Sequence, residues 1–162
     1  MNTQMTANDQ MASHGEVPFV GAGTVYRIAK QGGRPNVFTG TELAMAMSFT
    51  PGLPYWYEIN LYRRAEQGFV VAIRKFYQSE DERDTVKSWS CDNIGDALTL
   101  IEDYDASEDV RVPQLDVTSE SAASLAAHAM SMMSEVASAR SHYAGLVGEM
   151  FAEIEAAGIS TE

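Results

Sequence analysis

The chain has 162 residues, 45% of them hydrophobic, and a formal net charge of −12. A domain of this size buries about two thirds of its unfolded surface, so its folding requires neither a metal nor a disulfide. The single cysteine, Cys91, excludes an intramolecular disulfide, and no stretch approaches the roughly 18–20 apolar residues of a membrane span. Residues 1–14 lack the basic and apolar regions of a signal peptide, so we expect a cytoplasmic protein without membrane contact.

Charged and aromatic residues are unevenly distributed along the chain. Residues 23–78 contain seven basic and three acidic residues, together with ten of the fifteen aromatic residues. Residues 79–162 contain four basic and eighteen acidic residues. Such an asymmetry bears on partners and association rather than on fold. It predicts that the acidic C-terminal helix lies on the basic sheet of the same chain or of a neighbouring one.

The N-terminal part begins with a polar tail, residues 1–22, that we expect to be disordered. A first strand is predicted over residues 25–29, and the segment 38–49 permits two interpretations. Thr39 and Glu42 have capping-box spacing, which favours a helix. Against this, Glu42, Ala44, Ala46 and Ser48 alternate with four large apolar residues, namely Leu43, Met45, Met47 and Phe49. A period of two favours a strand with one buried face.

The strongest local signal is a β-hairpin. Residues 55–64 and 69–78 are β-rich runs separated by four residues that include Gly68. Alternation predicts a core face made of Tyr57, Ile59, Leu61, Phe69, Val71 and Ile73. The opposite face is aromatic and basic, and its candidate site for single-stranded nucleic acid consists of Trp56, Tyr62, Arg64, Arg74 and Phe76. Bases stack on aromatic rings and cations follow the backbone in such sites; the alternative is that the protein's own helices cover this face.

A further strand and a short helix follow the hairpin. Residues 85–91 form the predicted strand, and Asp92 or Asn93 then caps a helix that ends near Tyr104. This helix presents one apolar stripe, namely Ile94, Ala97, Leu98 and Ile101. Residues 23–105 therefore constitute the predicted sheet domain, and the acidic residues 106–118 a linker.

The composition changes completely in residues 119–158, which predict one long amphipathic helix. Its apolar residues step by three and four, as in a coiled coil: Ala122, Leu125, Ala129, Met132, Val136, Ala139, Tyr143, Leu146 and Met150. From Leu125 onwards these residues are the predicted oligomerisation seam, with packing onto the chain's own sheet as the alternative. Gly145 and Gly148 are the positions where the helix is expected to weaken or bend.

The sequence thus predicts an α+β fold: an antiparallel β-meander of four to five strands with one packed helix, followed by a long C-terminal helix. No catalytic motif occurs, and His128, Glu135 and His142 are spaced too widely for metal ligation from one helix. We therefore expect a non-enzymatic interaction or regulatory protein without a metal or cofactor, which forms a homo-oligomer or binds a protein partner. The alternatives are the nucleic-acid-binding module described above and an acidic mimic of DNA that inhibits a nucleic-acid-binding protein.

Overall fold

The computed structural model describes residues 17–18, 23–30 and 32–159. Most of the tail predicted over residues 1–22 lies outside the described residues. Within it, Val17–Pro18 form a short strand, β1, that pairs with β2. The remaining strands are β2 (Thr24–Ile28), β3 (Asn36–Met47), β4 (Tyr55–Arg64), β5 (Phe69–Tyr77) and β6 (Thr85–Cys91). They form one antiparallel sheet in chain order, which confirms the predicted meander.

Two α-helices follow the strands. Helix α1 (Ile94–Asp103) begins at Asn93, whose side chain accepts a hydrogen bond of 2.8 Å from the backbone N–H of Asp96. A 3-10 turn (Ala106–Asp109) lies within the predicted linker, and helix α2 (Ala122–Ala156) is capped by Ser121. Helix α2 continues without interruption through Gly145 and Gly148, where the sequence had suggested a bend.

The hairpin of β4 and β5 depends on a glycine that no other residue replaces easily. Gly68 has a φ of +86°, and a Cβ atom there would lie 2.6 Å from the carbonyl oxygen of Cys91. Both facts favour glycine, which has no Cβ and adopts positive φ without strain. The turn fixes the register in which Tyr57 pairs with Lys75 and Leu61 with Val71.

The main core lies between the sheet and the two helices, on a side that we call the helix face. The predicted core residues of the hairpin are buried there, with Phe69 packed at the margin. Helix α1 contributes Ile94, Ala97 and Ile101, and the C-terminal half of α2 contributes Ala139, Tyr143, Leu146, Met150 and Ile154. Because these side chains are apolar and spaced by three or four residues, each helix buries one continuous stripe.

Strand β3 is a strand, as the alternation favoured, but its buried side is the side with the small residues. Ala44 and Ala46 belong to the main core, whereas Met45, Met47 and Phe49 are exposed. A bulge between Glu42 and Ala44 shifts the register at this point. Helix α2 packs against β3, and alanine side chains permit the closest approach of a helix to a strand. The size of the side chains in β3 therefore did not indicate which face of this strand is buried.

Candidate interaction surfaces

The five hairpin residues proposed to bind nucleic acid lie on the side of the sheet opposite the helix face, which we call the open face. Neither of the two described α-helices covers it. Instead, β2 and β6 curl towards each other, and strand residues alone bury part of this face in a second small core: Ile28, Phe38, Tyr62, Val70 and Ala72, with Tyr26 and Val86 at its margin. The face is therefore neither fully open nor covered by a helix.

Tyr62 is fully enclosed by this second core. Its ring centroid lies 4.7 Å from that of Tyr26 and 5.5 Å from that of Phe38, and the residue is only 3% exposed. Burial raises the pKa of the Tyr62 hydroxyl above its ordinary value. Tyr62 thus stabilises the curl of the sheet and presents no ring surface on which a base stacks.

Arg74 is also withdrawn from solvent, being 7% exposed and paired with the carboxylate of Glu58. Arg64 is half-buried at the opposite end of β4 from Trp56, about 26 Å away at 3.3 Å per strand residue. The structure therefore does not bring the two guanidinium groups together beside the aromatic rings.

Trp56 and Phe76 are brought together as neighbours in an aromatic row. Their rings stack with centroids 5.3 Å apart, and Phe49 contacts Trp56 edge-on at 5.3 Å. Phe49 and Met47 are exposed, so this end of the open face keeps an apolar surface. Of the five candidate residues, only Trp56 and Phe76 form a compact, partly accessible group.

The predicted oligomerisation seam is divided between two environments. Four of its residues, Ala139, Tyr143, Leu146 and Met150, are buried in the core of their own chain. The Tyr143 hydroxyl donates a hydrogen bond of 2.8 Å to the backbone carbonyl of Ile101, which ties α2 to α1. The other seam residues belong to the N-terminal half of α2, residues 122–138, in which no residue is buried: Leu125, Ala129, Met132 and Val136.

The N-terminal half of α2 also presents a second apolar stripe that sequence reasoning missed. It steps by three, four, three and four residues on the exposed side of the helix: Ala123, Ala126, Met130, Met133 and Ala137. Met130 and Met133 are 72% and 70% exposed. We call these five residues the methionine stripe. The spacing of the methionine stripe was visible in the sequence. The longer seam beside it has the same spacing, however, and only the seam was identified as an apolar stripe.

A cleft of about 300 Å³ lies between the hairpin end, the 3-10 turn and α2. Lys75 lines it while being only 5% exposed; its Nζ lies 4.5 Å from the ring centroid of Tyr55 and 5.0 Å from that of Tyr77. Its Nζ also donates a hydrogen bond of 3.2 Å to the backbone carbonyl of Asp109. Burial lowers the pKa of the Lys75 ammonium despite the nearby carboxylates.

Behind this cleft, the carboxylate of Asp109 organises a buried polar network. It accepts hydrogen bonds from the hydroxyls of Tyr57 at 3.1 Å and Tyr104 at 2.6 Å, and it pairs with Lys87 at 3.1 Å. Burial, with the Asp109 charge, raises the pKa of both tyrosines, so their hydroxyls stay protonated as donors. Every oxygen and ammonium group of this network has a partner, which is typical of a structural anchor.

Comparisons with protein-family models, with curated proteins and with solved structures found no significant match. Among the described residues, no helix is long and apolar enough to cross a membrane. The surfaces described above are therefore interpreted from their own chemistry.

Proposed function

We propose that this protein is a non-enzymatic interaction protein that self-associates through the methionine stripe of α2. The observation that carries the proposal is the exposure of Met130 and Met133 at the centre of a regular apolar stripe. Exposed apolar surface rimmed by polar residues is typical of a protein interface. Here two serines lie beside the stripe, at positions 134 and 138.

Charge favours a second copy of the chain as the occupant of this surface. Residues 121–139 contain a single charged residue, Glu135, whereas the whole chain has a net charge of −12. Two copies that meet elsewhere on their acidic surfaces repel each other, but two N-terminal halves of α2 meet with little repulsion. The nearly uncharged helix segment is thus the least costly place for self-contact.

The shape of the stripe also suits a two-fold symmetric pair of helices. Each stripe combines two methionines with three alanines over residues 123–137. In an antiparallel pair, the methionines of one copy pack against the alanines of the other, as large side chains fit beside small ones. The N-terminal half of α2 spans about 25 Å at 1.5 Å per residue, which gives nearly five helical turns for contact.

The two alternative functions have less support. A nucleic-acid site on the open face would use Arg74, but this residue is paired with Glu58, and Tyr62 is buried. An acidic mimic of DNA requires free carboxylates in rows. In the acidic segment before α2, however, Asp105 pairs with Arg140, while Glu108 and Asp109 pair with Lys87.

The test is the oligomeric state of the full chain and of two neighbouring variants, measured by sedimentation velocity over a range of concentrations. We expect a dimer for the parent chain and at least about tenfold weaker association for Met130→Glu, because an unpaired charge is costly to bury. Ser131→Glu is the matched control, since it adds the same charge one residue away on a different side of the helix. A parent chain that stays monomeric at high concentration contradicts the proposal, and so does a Met130→Glu variant that dimerises like the control.

A further inference from the structure

A basic pocket lies where the curled sheet brings the β2–β3 connection close to β6. Its volume is about 410 Å³, and its wall includes Lys30, Arg34 and Asn36 from one side and Ser88 and Ser90 from the other. Ser88 and Ser90 are two residues apart on one strand, so both hydroxyls face the same side of the sheet. Donor groups from two separate segments of the chain therefore converge on one space.

The charge of this pocket is opposite to that of the protein. Its described wall contains two cations and no carboxylate, although the chain has 23 acidic residues and 11 basic ones. The pocket is also unrelated to the methionine stripe, which belongs to α2. A local positive field in an acidic protein attracts a small anion but not an extended polyanion, because the surrounding surface repels the latter.

A buried hydroxyl without a partner points to a ligand at this site. Ser88 is 3% exposed, and within the described part of the chain its Oγ has no hydrogen-bond partner. Leaving a buried polar group unsatisfied is costly, so nearly all such groups are hydrogen-bonded. Since Ser88 belongs to the pocket wall, an anion bound there would supply an acceptor for its hydroxyl.

We propose that this pocket binds a small phosphate-bearing anion, either free phosphate or a phosphomonoester. The guanidinium of Arg34 and the ammonium of Lys30 neutralise the charge, and the hydroxyls of Ser88 and Ser90 donate to phosphate oxygens. Charge-assisted hydrogen bonds of this kind are the strong ones in anion sites. Among the described strands β6 is an edge of the sheet, and an edge strand presents backbone N–H groups that can donate beside the pocket.

The experiment is an NMR titration of the full chain with inorganic phosphate and, separately, with glycerol 2-phosphate at low ionic strength. We expect saturable shifts of the backbone amides of residues 32–34, 36 and 88–90, weaker at high salt because screening reduces the attraction. Tighter binding of the monoester identifies an organic phosphate as the natural ligand, and tighter binding of phosphate identifies the free ion. Absence of saturable shifts with both ligands overturns the proposal, as does binding of an oligonucleotide in their place.

Two variants test whether the anion binds in this pocket, and a third variant serves as a matched control. Arg34→Gln should weaken binding about tenfold, the usual effect of losing one charged partner. Ser88→Ala should weaken it several-fold without loss of folding, because its hydroxyl has no partner within the described protein. Arg27→Gln removes the same charge from an exposed residue of β2, outside the pocket wall. If Arg27→Gln weakens binding as much as Arg34→Gln, the attraction is only general charge and the proposed pocket is wrong.

Discussion

The two halves of α2 continue the same spacing of apolar residues but have different surroundings. Residues 139–156 bury a stripe of five side chains against the sheet and α1, whereas residues 122–138 bury none. The sequence pattern is continuous across this boundary, so the difference arises from what lies beneath the helix. The sheet domain is long enough to cover only the C-terminal half, and the rest of the helix keeps its apolar surface for other contacts.

The boundary between the two halves is marked by specific polar contacts. Arg140 forms two hydrogen bonds with the carboxylate of Asp105, at 3.0 and 2.8 Å, and the Ser138 hydroxyl lies 3.2 Å from that of Tyr55. These contacts orient the helix at the point where it leaves the core. The ion pairs described between the acidic half and the sheet belong to the 3-10 turn, whose Glu108 and Asp109 pair with Lys87. Helix α2 packs on the sheet through its apolar stripe instead.

The comparison is tested most strongly by truncating one large side chain in each half. Leu146→Ala should lower the free energy of unfolding by about 4 kcal/mol, because Leu146 is almost fully buried and its loss leaves a cavity. Met133→Ala should change it by less than about 0.5 kcal/mol, as expected for an exposed residue. Both are measured by urea denaturation in the Met130→Glu background, so that self-association does not contribute. Equal losses would contradict the division of the helix.

The anchor beneath the packed half is tested by Asp109→Asn. This substitution removes the charge that pairs with Lys87 and disturbs the acceptor of two buried tyrosine hydroxyls, so we expect a loss of about 3 kcal/mol. Glu108→Gln, one residue away and largely exposed, contacts the same lysine and should have little effect. Urea denaturation distinguishes the two; a small effect for Asp109→Asn would show that the network contributes little to stability.

The sequence predicted the order and faces of the elements where periodicity was decisive. The hairpin, its core face and the extent of α2 followed from alternation and from heptad spacing. The burial of Tyr62 and Arg74 did not follow from the sequence pattern. It depends on the curl of the sheet, which brings β2 and β6 together over the open face. The Asp109 network was equally inaccessible, since its members are separated by up to 52 residues.

The division of α2 into a packed half and an exposed half was also only partly predictable from the sequence. The spacing identified both the seam and its length, but which part of the seam is buried depends on how far the sheet extends beneath it. The pocket at Ser88 depends on the same curl, because Lys30 and Ser88 are distant in sequence and belong to the β2–β3 connection and to β6, which are not neighbours in the sheet. Contacts between distant segments leave no periodic signal in one sequence.

Glycine substitutions in and after the packed half of α2 should change the stability of the protein by a smaller amount. A Cβ atom at Gly145 or Gly148 would meet nothing within 4 Å apart from its chain neighbours and the surrounding helix backbone. Gly145→Ala should therefore stabilise the packed half by about 1 kcal/mol through its higher helix propensity. Gly158→Ala is the opposite control, because its φ of +65° at the end of α2 disfavours a side chain. Thermal unfolding by circular dichroism should show a higher midpoint for the first variant and a lower one for the second. A destabilised Gly145→Ala would indicate an unseen contact there.

The smallest expected effect on stability comes from the Arg140–Asp105 pair at the boundary between the two halves of α2, and it depends on pH. Hydrogen bonds from Arg140 hold the pKa of the Asp105 carboxyl well below its usual range. A carboxyl with a lowered pKa in the folded state stabilises the fold above the pKa of the unfolded chain, and this contribution is lost as the pH falls through the folded value. The difference in urea midpoint between the parent chain and Arg140→Met should therefore be present at neutral pH and narrow on acidification. Arg27→Met is the control, because it removes an exposed charge elsewhere; its difference in urea midpoint from the parent chain should not narrow on acidification. If the difference for Arg140→Met is independent of pH, Arg140 acts through the packing of its aliphatic part instead of through Asp105.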